Sequence, residues 1–376
     1  MHAPSSDRDP LRILFLTPTH WSAGNGGAEL QIKSLVERLV GRDHLDLHFA
    51  ARSVGAGPAP HGYTLHTLRA RRALAGTYLL ELPGLMTLLR QVAPDVIYQR
   101  VGCAYTGAAA WYARRHRCRM VWHVSSDRDL TALPWSFSPR SPIEQLNRRL
   151  IDYGARYATS IIVQSTSQQR LAAQRFGRRD AIRIPNFHRG PSGPLSKPAS
   201  PVTVCWIGNV KEIKRPEVFL RLARAFAATD NVDFVMVGAR QMRERDWARF
   251  VAEVREVANL RYLGAQTPAS VDELLARAHI LVNTSPVEGF PNTFVEAWLR
   301  DVSVVSLVVN PDGVFDGERA GICASGSFDK LVESVRRLVE APPLRDAINL
   351  RAKELAGADY SERNIDRLIA VLEGSL

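Results

Sequence analysis

Short apolar runs alternate with amphipathic stretches along this chain of 376 residues. The run at residues 12–17 is followed by a loop containing glycines, and then by residues 28–40, where apolar positions recur every three or four residues. A second apolar run occupies residues 45–50. Such short apolar runs are typical of buried strands. Apolar positions that recur every three or four residues, as in 28–40, are typical of an amphipathic helix. The opening of the chain therefore predicts a β–α–β unit and a parallel sheet.

The same alternation continues to the end of the chain. Further buried strands are predicted at 95–100, 120–124, 160–165, 202–208, 232–238, 279–285 and 302–309. A stretch rich in proline, glycine and serine at 190–201 predicts a linker, and Ser361 predicts the N-cap of a last amphipathic helix. We therefore predict an α/β fold with two Rossmann-like domains that face each other across a cleft. The predicted boundaries are 1–190 for the first domain, 191–201 for the linker, 202–358 for the second domain, and 359–376 for a C-terminal helix that packs back on the first domain.

Composition agrees with a two-domain globular protein. Hydrophobic residues make up 45% of the chain and charged residues 23%. No apolar run reaches the roughly 18 residues of a membrane span, and the apolar segment 11–18 fits a first strand better than a signal peptide. The cysteines are scattered singly, so we expect neither a disulfide framework nor a zinc site, and a cytoplasmic location; they are Cys103, Cys118, Cys205 and Cys323.

Charge is distributed unevenly between the two halves. Residues 1–198 carry 27 lysines and arginines against 13 aspartates and glutamates, whereas residues 199–376 carry 22 against 25. The first half therefore has a net charge of +14 and the second of −3, within a total of +11. A basic surface favours phosphate-bearing partners such as nucleic acid, anionic lipid or a diphosphate substrate. Ordinary solvated arginines of an arginine-rich composition remain the alternative.

Two basic segments in the first half predict contact with a membrane surface. Residues 69–92 begin with an arginine cluster and continue as apolar, and residues 112–119 add further arginines. Such segments can lie in a bilayer interface with their arginines on anionic headgroups. Two ordinary helices with solvated ends remain the alternative.

Glu288 and Glu296 flank the segment GFPNTFV, which reads as a turn entering a helix. The predicted strand ends near Ser285, so this turn lies at the sheet edge where α/β proteins bind ligands. The first amides of a helix attract anions, and Gly289 lets a ligand approach the backbone. Glu288 can accept hydrogen bonds from sugar hydroxyls, and Glu296 from a diol. The combination suits a nucleotide-sugar, with two solvated surface charges as the alternative.

These motifs resemble those of family 4 retaining glycosyltransferases of the GT-B fold. EGFPNTFVE matches the E-x7-E motif of that family, and GNGGAE at 24–29 resembles its N-terminal glycine loop. MVWHV at 120–124, IPNF at 184–187 and WIGNVKEIKRPE at 206–217 resemble further family segments in the expected order. The resemblance spans nearly the whole chain.

The resemblance implies a set of catalytic residues. Glu288 would bind hydroxyls of the donor sugar, Lys214 would neutralise the diphosphate, and His123 would contact the sugar from the first domain. One departure is Asn209, which stands where the family usually has an arginine. Either Lys211 or Arg215 would then substitute for that missing cation, or the diphosphate would be held differently.

The resemblance also implies donor-binding and acceptor positions. Glu296 would bind the ribose, and Gly26 and Gly27 would close over the phosphates and the reacting carbon. Backbone amides around Phe290, Asn292 and Thr293 would hold the sugar and the diphosphate. Asp127 and Asp129, just after His123, are candidates for acceptor contacts, with a capped loop as the alternative for each.

The reaction that the resemblance implies is hexose transfer from a nucleotide-sugar with retention of configuration, without a metal or other cofactor. GDP-mannose and UDP-hexoses both remain open as donors. We expect base and sugar selection to depend on loops near 238–243, 263–266 and 284–287. The basic first half favours a lipid-linked saccharide acceptor in bacterial exopolysaccharide or O-antigen assembly, with the protein peripheral on the inner face of the cell membrane.

Other functions fit parts of the sequence. An NADP-dependent dehydrogenase would use Gly24 and Gly26 as half of a dinucleotide motif and Arg52 for a 2′-phosphate, but Glu29 stands at the third glycine position. A nucleic-acid binder would explain the basic half, yet no aromatic residues interleave its arginines in a known module. A GT-B nucleotide-sugar epimerase or a catalytically silent relative also stays open.

Overall fold

The structure, a computed structural model, describes residues 9–24, 26–56, 61–68, 78–131, 141–191, 193–195 and 197–376. The chain divides into two compact units. The first comprises Met1–Asn186 together with Arg363–Leu376, and the second comprises Phe187–Glu362. Each unit is an α/β domain with its own parallel sheet, which confirms the predicted fold class.

Over its described residues, the first unit has a seven-stranded parallel sheet in the order β3-β2-β1-β4-β5-β6-β7. The strands are β1 Leu11–Thr19, β2 Leu45–Ser53, β3 Thr64–Thr67, β4 Val96–Arg100, β5 Arg119–His123, β6 Ser160–Val163 and β7 Ile182–Arg183. The helices are α1 Gly27–Leu39, α2 Leu82–Val92, α3 Ala104–Ala113, α4 Asp127–Leu130, α5 Ser141–Tyr157 and α6 Thr166–Phe176. Strand order reverses between β1 and β4, which is where open α/β sheets bind ligands.

The second unit has a six-stranded parallel sheet over its described residues, in the order β10-β9-β8-β11-β12-β13. The strands are β8 Val202–Ile207, β9 Val232–Val237, β10 Leu260–Tyr262, β11 Ile280–Asn283, β12 Ser303–Ser306 and β13 Ile322–Cys323. The helices are α7 Pro216–Ala225, α8 Glu244–Arg255, α9 Pro268–Arg277, α10 Asn292–Trp298, α11 Phe328–Glu340 and α12 Pro342–Asp359. Its strand order reverses between β8 and β11.

The central strands are buried because helices cover both faces of each sheet. Residues 13–18 of β1 are buried without interruption, so this strand reads as a continuous apolar run rather than an alternating one. Trp122 and Tyr98 are fully buried in the first unit, and Phe234 and Trp298 are fully buried in the second. The two cores give each sheet a rigid edge from which loops can present polar side chains.

The last helix, Arg363–Glu373, belongs to the first unit. Arg119 donates a hydrogen bond to the carbonyl oxygen of Val371 over 3.1 Å, and Arg42 pairs with Glu373 at 3.2 Å. The helix begins two residues after Ser361, the predicted N-cap. Of the predicted membrane segment 69–92, residues 69–77 lie outside the described part of the chain, and α2 accounts for its end.

Candidate active site

Lys214 and Glu288 form an ion pair at the edge of the second sheet where its strands have their carboxyl ends. Lys214 lies between β8 and α7, and Glu288 lies between β11 and α10, so the two loops flank the point where strand order reverses. The Lys214 side chain is 25% exposed and that of Glu288 is 19% exposed. The pair is therefore partly shielded from water while both charges remain accessible to a ligand.

The backbone around Lys214 is fixed by contacts from the neighbouring loop. Glu212–Lys214 form a 3-10 turn, and Arg215 takes a left-handed conformation (φ 49°) that lets Pro216 begin α7. The buried Thr284 hydroxyl donates to the carbonyl oxygen of Lys214 over 2.5 Å and accepts from the Trp206 indole N–H over 2.9 Å. These contacts fix the backbone at Lys214, and Glu288 pairs with its ammonium group. A charge held in this way can stabilise a ligand with little reorganisation.

Glu296 lies on α10, and its carboxylate is 3.6 Å from Nδ1 of His188. Its side chain is 28% exposed, whereas that of His188 is 6% exposed. Pro291 takes the N-cap position of α10, so the helix begins at Asn292, followed by Thr293. Gly289, in the bend before it, is half-buried. Glu296 is thus placed one turn into the helix, as the sequence predicts.

Phe290 anchors this loop to the core of the second unit. Its ring is 5% exposed and packs on Tyr360 at 4.5 Å and on Trp298 at 6.0 Å between ring centroids. The phenyl ring therefore positions the loop, and any contact between this residue and a ligand falls to its backbone.

Asn209 lies where the ends of β8 and β9 approach most closely. A Cβ atom on Gly238 would lie 1.8 Å from the carbonyl oxygen of Gly208, so this contact requires glycine. The Gly238 amide donates to Gly264 over 2.9 Å, and the Tyr262 hydroxyl donates to the Gly238 carbonyl oxygen over 2.6 Å. Two of the loops predicted to select base and sugar are therefore bonded to each other.

In the first unit, Gly26 is the N-cap of α1 and Gly27 is its first residue. A Cβ atom on Gly26 would lie 2.3 Å from a carboxylate oxygen of Glu29, so any side chain there would displace that group. Burial raises the pKa of Glu29, and the positive charge of Arg100 opposes this effect. The glycine loop thus carries a largely buried carboxyl group that the dinucleotide motif does not explain.

His123 ends β5 and is 1% exposed. Its Nδ1 atom lies 2.7 Å from the Tyr98 hydroxyl, and its Nε2 atom is buried without a hydrogen-bond partner among the described residues. Burial, followed by the positive charge of Arg100, lowers the pKa of His123 well below its ordinary value. His123 is therefore a neutral imidazole near pH 7.

The two acceptor candidates differ in their environment. The Asp129 carboxylate accepts hydrogen bonds from the Ser125 amide, the Ser125 hydroxyl and the Ser126 amide at 2.9–3.2 Å, and the residue is 8% exposed. Its Oδ2 atom thus caps α4, and contact of this residue with an acceptor stays a prediction. Asp127 accepts from Gln168 over 3.0 Å and stays an acceptor candidate.

Arg52 does not support the dinucleotide hypothesis. Its guanidinium pairs with Glu81, which is 2% exposed, at 3.1 Å. The Tyr105 hydroxyl also donates to Glu81, and Arg52 lies 5.6 Å from the centre of the Tyr78 ring. Releasing Arg52 to a 2′-phosphate would leave a buried carboxylate without its cation, at a cost of about 3–5 kcal/mol.

Several residues of the candidate site belong to no motif that the sequence singles out residue by residue. Thr284, Trp206, Tyr98 and Arg100 act through contacts between segments that lie 25 or more residues apart. Ser285 is 1% exposed, and its hydroxyl has no partner within the described structure. The one available signal was position, because all of these residues lie at or near the carboxyl ends of predicted strands. No group of three or more acidic, histidine or cysteine side chains is placed to hold a metal ion within the described ranges.

His20 fixes the loop that leads to Gly26. The Ser22 amide donates to Nδ1 of His20 over 3.1 Å, so Nε2 carries the proton and donates to the Tyr63 hydroxyl over 2.9 Å. The Ser22 hydroxyl in turn accepts from the Gly55 amide over 3.0 Å. Burial lowers the pKa of His20 to about 4, because the charged ring would be desolvated.

Acid should therefore weaken this loop. The unfolded chain takes up a proton at His20 near pH 6.5, whereas the folded chain does so only near pH 4, so the free energy of unfolding falls as pH drops through this window. His20→Gln should reduce the slope of the free energy of unfolding against pH between about pH 7 and about pH 5, by at most about 1.4 kcal/mol per pH unit. His44→Gln, at a histidine whose side chain is 63% exposed, is the matched control. An unchanged slope in His20→Gln would contradict this role.

Two family models match the chain. Residues 26–186 match the model described as a glycosyl transferase 4-like domain, and residues 201–341 match the model described as glycosyl transferases group 1. The two matches fall in the first and second unit respectively. A search of curated proteins finds no match.

Solved structures share this fold over nearly the whole chain at low sequence identity. Sucrose-phosphate synthase from Thermosynechococcus elongatus has a TM-score of 0.75 at 16% identity, covering 97% of this chain and 98% of that one. Anabaena Alr3699/HepE, solved with UDP-glucose, has a TM-score of 0.72 at 19% identity, covering 97% and 100%. WaaG, described as a glycosyltransferase involved in lipopolysaccharide biosynthesis, has a TM-score of 0.71 at 13% identity, covering 96% and 100%. These likenesses show the fold.

Proposed function

The chain is a glycosyltransferase of the GT-B type, and we propose that it transfers a hexose from a nucleotide-sugar to a saccharide acceptor with retention of configuration. The observation that carries this proposal is the Lys214–Glu288 pair at the strand-order reversal of the second sheet. A cation and a carboxylate side by side match a donor that presents a diphosphate next to sugar hydroxyls. HepE, which was solved with UDP and with UDP-glucose, supports a donor of this class.

In this reaction the bond between the anomeric carbon and the diphosphate oxygen breaks, and its electron pair goes to the leaving diphosphate. The acceptor oxygen bonds to the anomeric carbon on the same face, and the acceptor proton passes to the leaving phosphate. Lys214 stabilises the negative charge that develops on the leaving diphosphate. Electrostatic stabilisation by a preorganised group is usually the largest single contribution to catalysis. No second carboxylate is needed as a nucleophile, and we propose that no metal ion takes part.

Glu288 has two roles in this mechanism. Without a donor it neutralises Lys214, so the ammonium is not left partly buried and unpaired. With a donor, the diphosphate takes over the pairing with Lys214, and the freed carboxylate accepts hydrogen bonds from the hexose hydroxyls. The exchange couples release of the internal ion pair to recognition of both parts of the donor.

Glu296 completes donor recognition one helical turn further on. Its carboxylate is partly exposed, so it can accept two hydrogen bonds from the cis-diol of a ribose. A carboxylate accepts such bonds more strongly than a neutral group. We propose that UDP-hexose or GDP-mannose is the donor, and that the bonded loops near Gly238 and Gly264 select between the two bases.

A basic and apolar surface on the first unit supports a lipid-linked acceptor. Trp111, Leu146 and Tyr157 on α3 and α5 are 37%, 48% and 45% exposed. Arg115 lies 4.0 Å from the ring centre of Trp111, and Arg114 lies 4.1 Å from that of Tyr157. Exposed aromatic and aliphatic side chains, with arginines close to the aromatic rings, suit the interface of an anionic bilayer.

The acceptor we propose is therefore a saccharide on a membrane-held lipid, as in exopolysaccharide or O-antigen assembly. The protein would then work peripherally at the cytoplasmic face of the cell membrane. Within the described part of the chain, no helix combines the length and the hydropathy of a membrane span.

The protein should sediment with vesicles rich in phosphatidylglycerol at low salt. Each arginine near such a surface contributes about 1 kcal/mol, so Arg114→Ala with Arg115→Ala should weaken binding roughly thirtyfold. Arg245→Ala with Arg249→Ala on α8 removes the same charge from exposed positions of the second unit and is the control. Equal binding by the two double variants, or none by the wild type, would contradict the membrane contact.

A thermal-shift panel tests the donor. Ligands are UDP-, GDP- and dTDP-sugars, free nucleotides and NADPH, each with EDTA and with Mg²⁺. A ligand at about 100 times its Kd stabilises the folded state by about 2.7 kcal/mol, or several degrees in a protein of this size. We expect one nucleotide-sugar to raise the melting temperature equally with and without EDTA. A shift with NADPH alone would overturn the proposed function.

A further inference from the structure

The first unit contains a buried polar chain that the proposed reaction does not yet use. Tyr98 and Arg100 are on β4, and His123 lies opposite Arg100 in the parallel register of β4 and β5. Because strand residues two apart face the same side, all three side chains share one face of the sheet. Each is at most 1% exposed, so their polar atoms depend on protein or ligand partners.

The hydrogen bonds fix where the protons lie. The Tyr98 hydroxyl is fully buried, and the acceptor that the described structure offers it is Nδ1 of His123 at 2.7 Å. Arg100 is a donor only, so it cannot take the phenol proton. Tyr98 therefore donates to Nδ1, and the neutral His123 ring carries its proton on Nε2.

That Nε2–H group is buried and lacks a partner within the described residues. A buried donor without a partner is costly, and native proteins rarely keep one without a purpose. The purpose that fits a neutral N–H donor is an uncharged oxygen acceptor, such as a sugar hydroxyl or ring oxygen.

Burial and the positive charge of Arg100 together keep the His123 ring neutral. The Nη2 atom of Arg100 donates to Oδ1 of Asn186 over 2.7 Å, its Nε atom has no partner, and no carboxylate lies within ion-pair distance among the described side chains. Burial, and then the positive charge of Arg100, lower the pKa of His123. The same charge also opposes the rise in the pKa of Glu29 that burial causes. An unneutralised guanidinium beside His123 opposes a second positive charge on the imidazole.

We propose that Tyr98 and Arg100 are positioning residues that hold His123 as the neutral Nε2–H tautomer, so that it donates to an oxygen of the hexose being transferred. This role rests on the proposed function, since the hexose is the partner of Nε2. Tyr98 selects the tautomer, and the charge of Arg100 adds to the effect of burial in favouring the neutral ring. Neither residue has to touch the substrate.

The test is ¹⁵N NMR of the full-length protein labelled at its histidine rings, with His123 identified by the signals missing from His123→Asn. In the wild type we expect a protonated Nε2 and an unprotonated Nδ1 near pH 7, and the same tautomer below the ordinary histidine pKa of about 6.5. Tyr98→Phe should give a mixture of the two tautomers. Arg100→Gln should let His123 take up its proton at a higher pH than in the wild type, because the neighbouring positive charge is removed.

Activity provides the second readout. Tyr98→Phe should lower kcat/KM about twofold if the two tautomers are equally populated, because the hydrogen bond to the sugar is then lost in about half of the molecules. Arg100→Gln should move the acid limb of the pH–rate profile in the same direction as the NMR titration. Tyr112→Phe, at another buried tyrosine of the first unit, should change neither readout.

An Nδ1–H tautomer in the wild type, or unchanged tautomers in Tyr98→Phe, would overturn the positioning role. The tautomer is read without substrate, so this result does not depend on the donor. A protein with the expected tautomers that binds no nucleotide-sugar would instead contradict the proposed function and leave the roles of Tyr98 and Arg100 intact.

Discussion

Lys214→Met is expected to lower kcat by about two to three orders of magnitude, and to lower the melting temperature without ligand because Glu288 loses its cation. Removing one preorganised group that stabilises developing charge costs about 2.7–4 kcal/mol in the transition state. Methionine keeps most of the side-chain volume, and the backbone contact from Thr284 is unaffected. Initial rates of nucleoside diphosphate release at saturating donor measure the effect.

The neighbouring cations show whether Lys214 acts alone. Lys211→Met and Arg215→Met remove one charge each within four residues of Lys214, and both were candidates to replace the cation missing at Asn209. If Lys214 carries the diphosphate, these variants should retain activity within about tenfold of the wild type. A larger loss in Arg215→Met than in Lys214→Met would transfer the role to Arg215.

Glu288→Gln separates the two roles of the ion pair. It leaves Lys214 charged and without its carboxylate, while the amide can still bond to sugar hydroxyls. We expect free nucleoside diphosphate to bind at least as tightly as in the wild type, whereas kcat falls with the loss of the charged acceptor. Weaker binding of both the diphosphate and the sugar would contradict the exchange of partners at Lys214.

Glu296→Gln is expected to weaken nucleotide-sugar binding roughly 10- to 100-fold. A hydrogen bond to a charged group contributes about 1.5–3 kcal/mol, and the glutamine amide offers one acceptor where the carboxylate offers two. Because the ribose contact is the same in ground and transition states, the change should be in Kd and KM rather than in kcat. Isothermal titration of each variant with the donor measures it.

Glu273→Gln on α9 is the matched control for Glu296. It removes the same charge from the second unit at an exposed position outside the two loops. Equal weakening in both variants would mean that net charge, rather than a bond to ribose, sets the affinity. A fall in kcat without a change in Kd for Glu296→Gln would move this residue from donor binding to catalysis.

The central strands could be predicted from sequence because each is buried on both faces and reads as an apolar run. The edge strands could not: β3, β7, β10 and β13 contain two to four residues each and lie near or at the ends of their sheets. β3 has the burial pattern exposed, half-buried, half-buried, exposed. A strand paired on one side needs little apolar surface, so it leaves little pattern.

Some residues of the candidate site could be predicted from the sequence, and others could not. Glu288, Glu296 and Lys214 follow predicted strands, and motif and position together identify them. The contact between Thr284 and Lys214 joins residues 70 positions apart, and that between Tyr98 and His123 joins residues 25 apart. No local pattern encodes such pairs, because the sheet register brings them together. For Asp129 the sequence leaves both an acceptor contact and a capped loop open, and its hydrogen bonds show the cap.

The proposed mechanism is tested most directly by identifying the products of a reaction with a labelled donor. Wild type and Lys214→Met are incubated with each nucleotide-sugar in EDTA, with a membrane extract as acceptor source. Released nucleoside diphosphate is followed by ³¹P NMR, and the anomeric configuration of the new bond by ¹H NMR. We expect one donor to be consumed, an anomeric configuration unchanged from that donor, and little turnover in Lys214→Met. Inversion of configuration, or equal turnover in the two proteins, would contradict the mechanism proposed for this site.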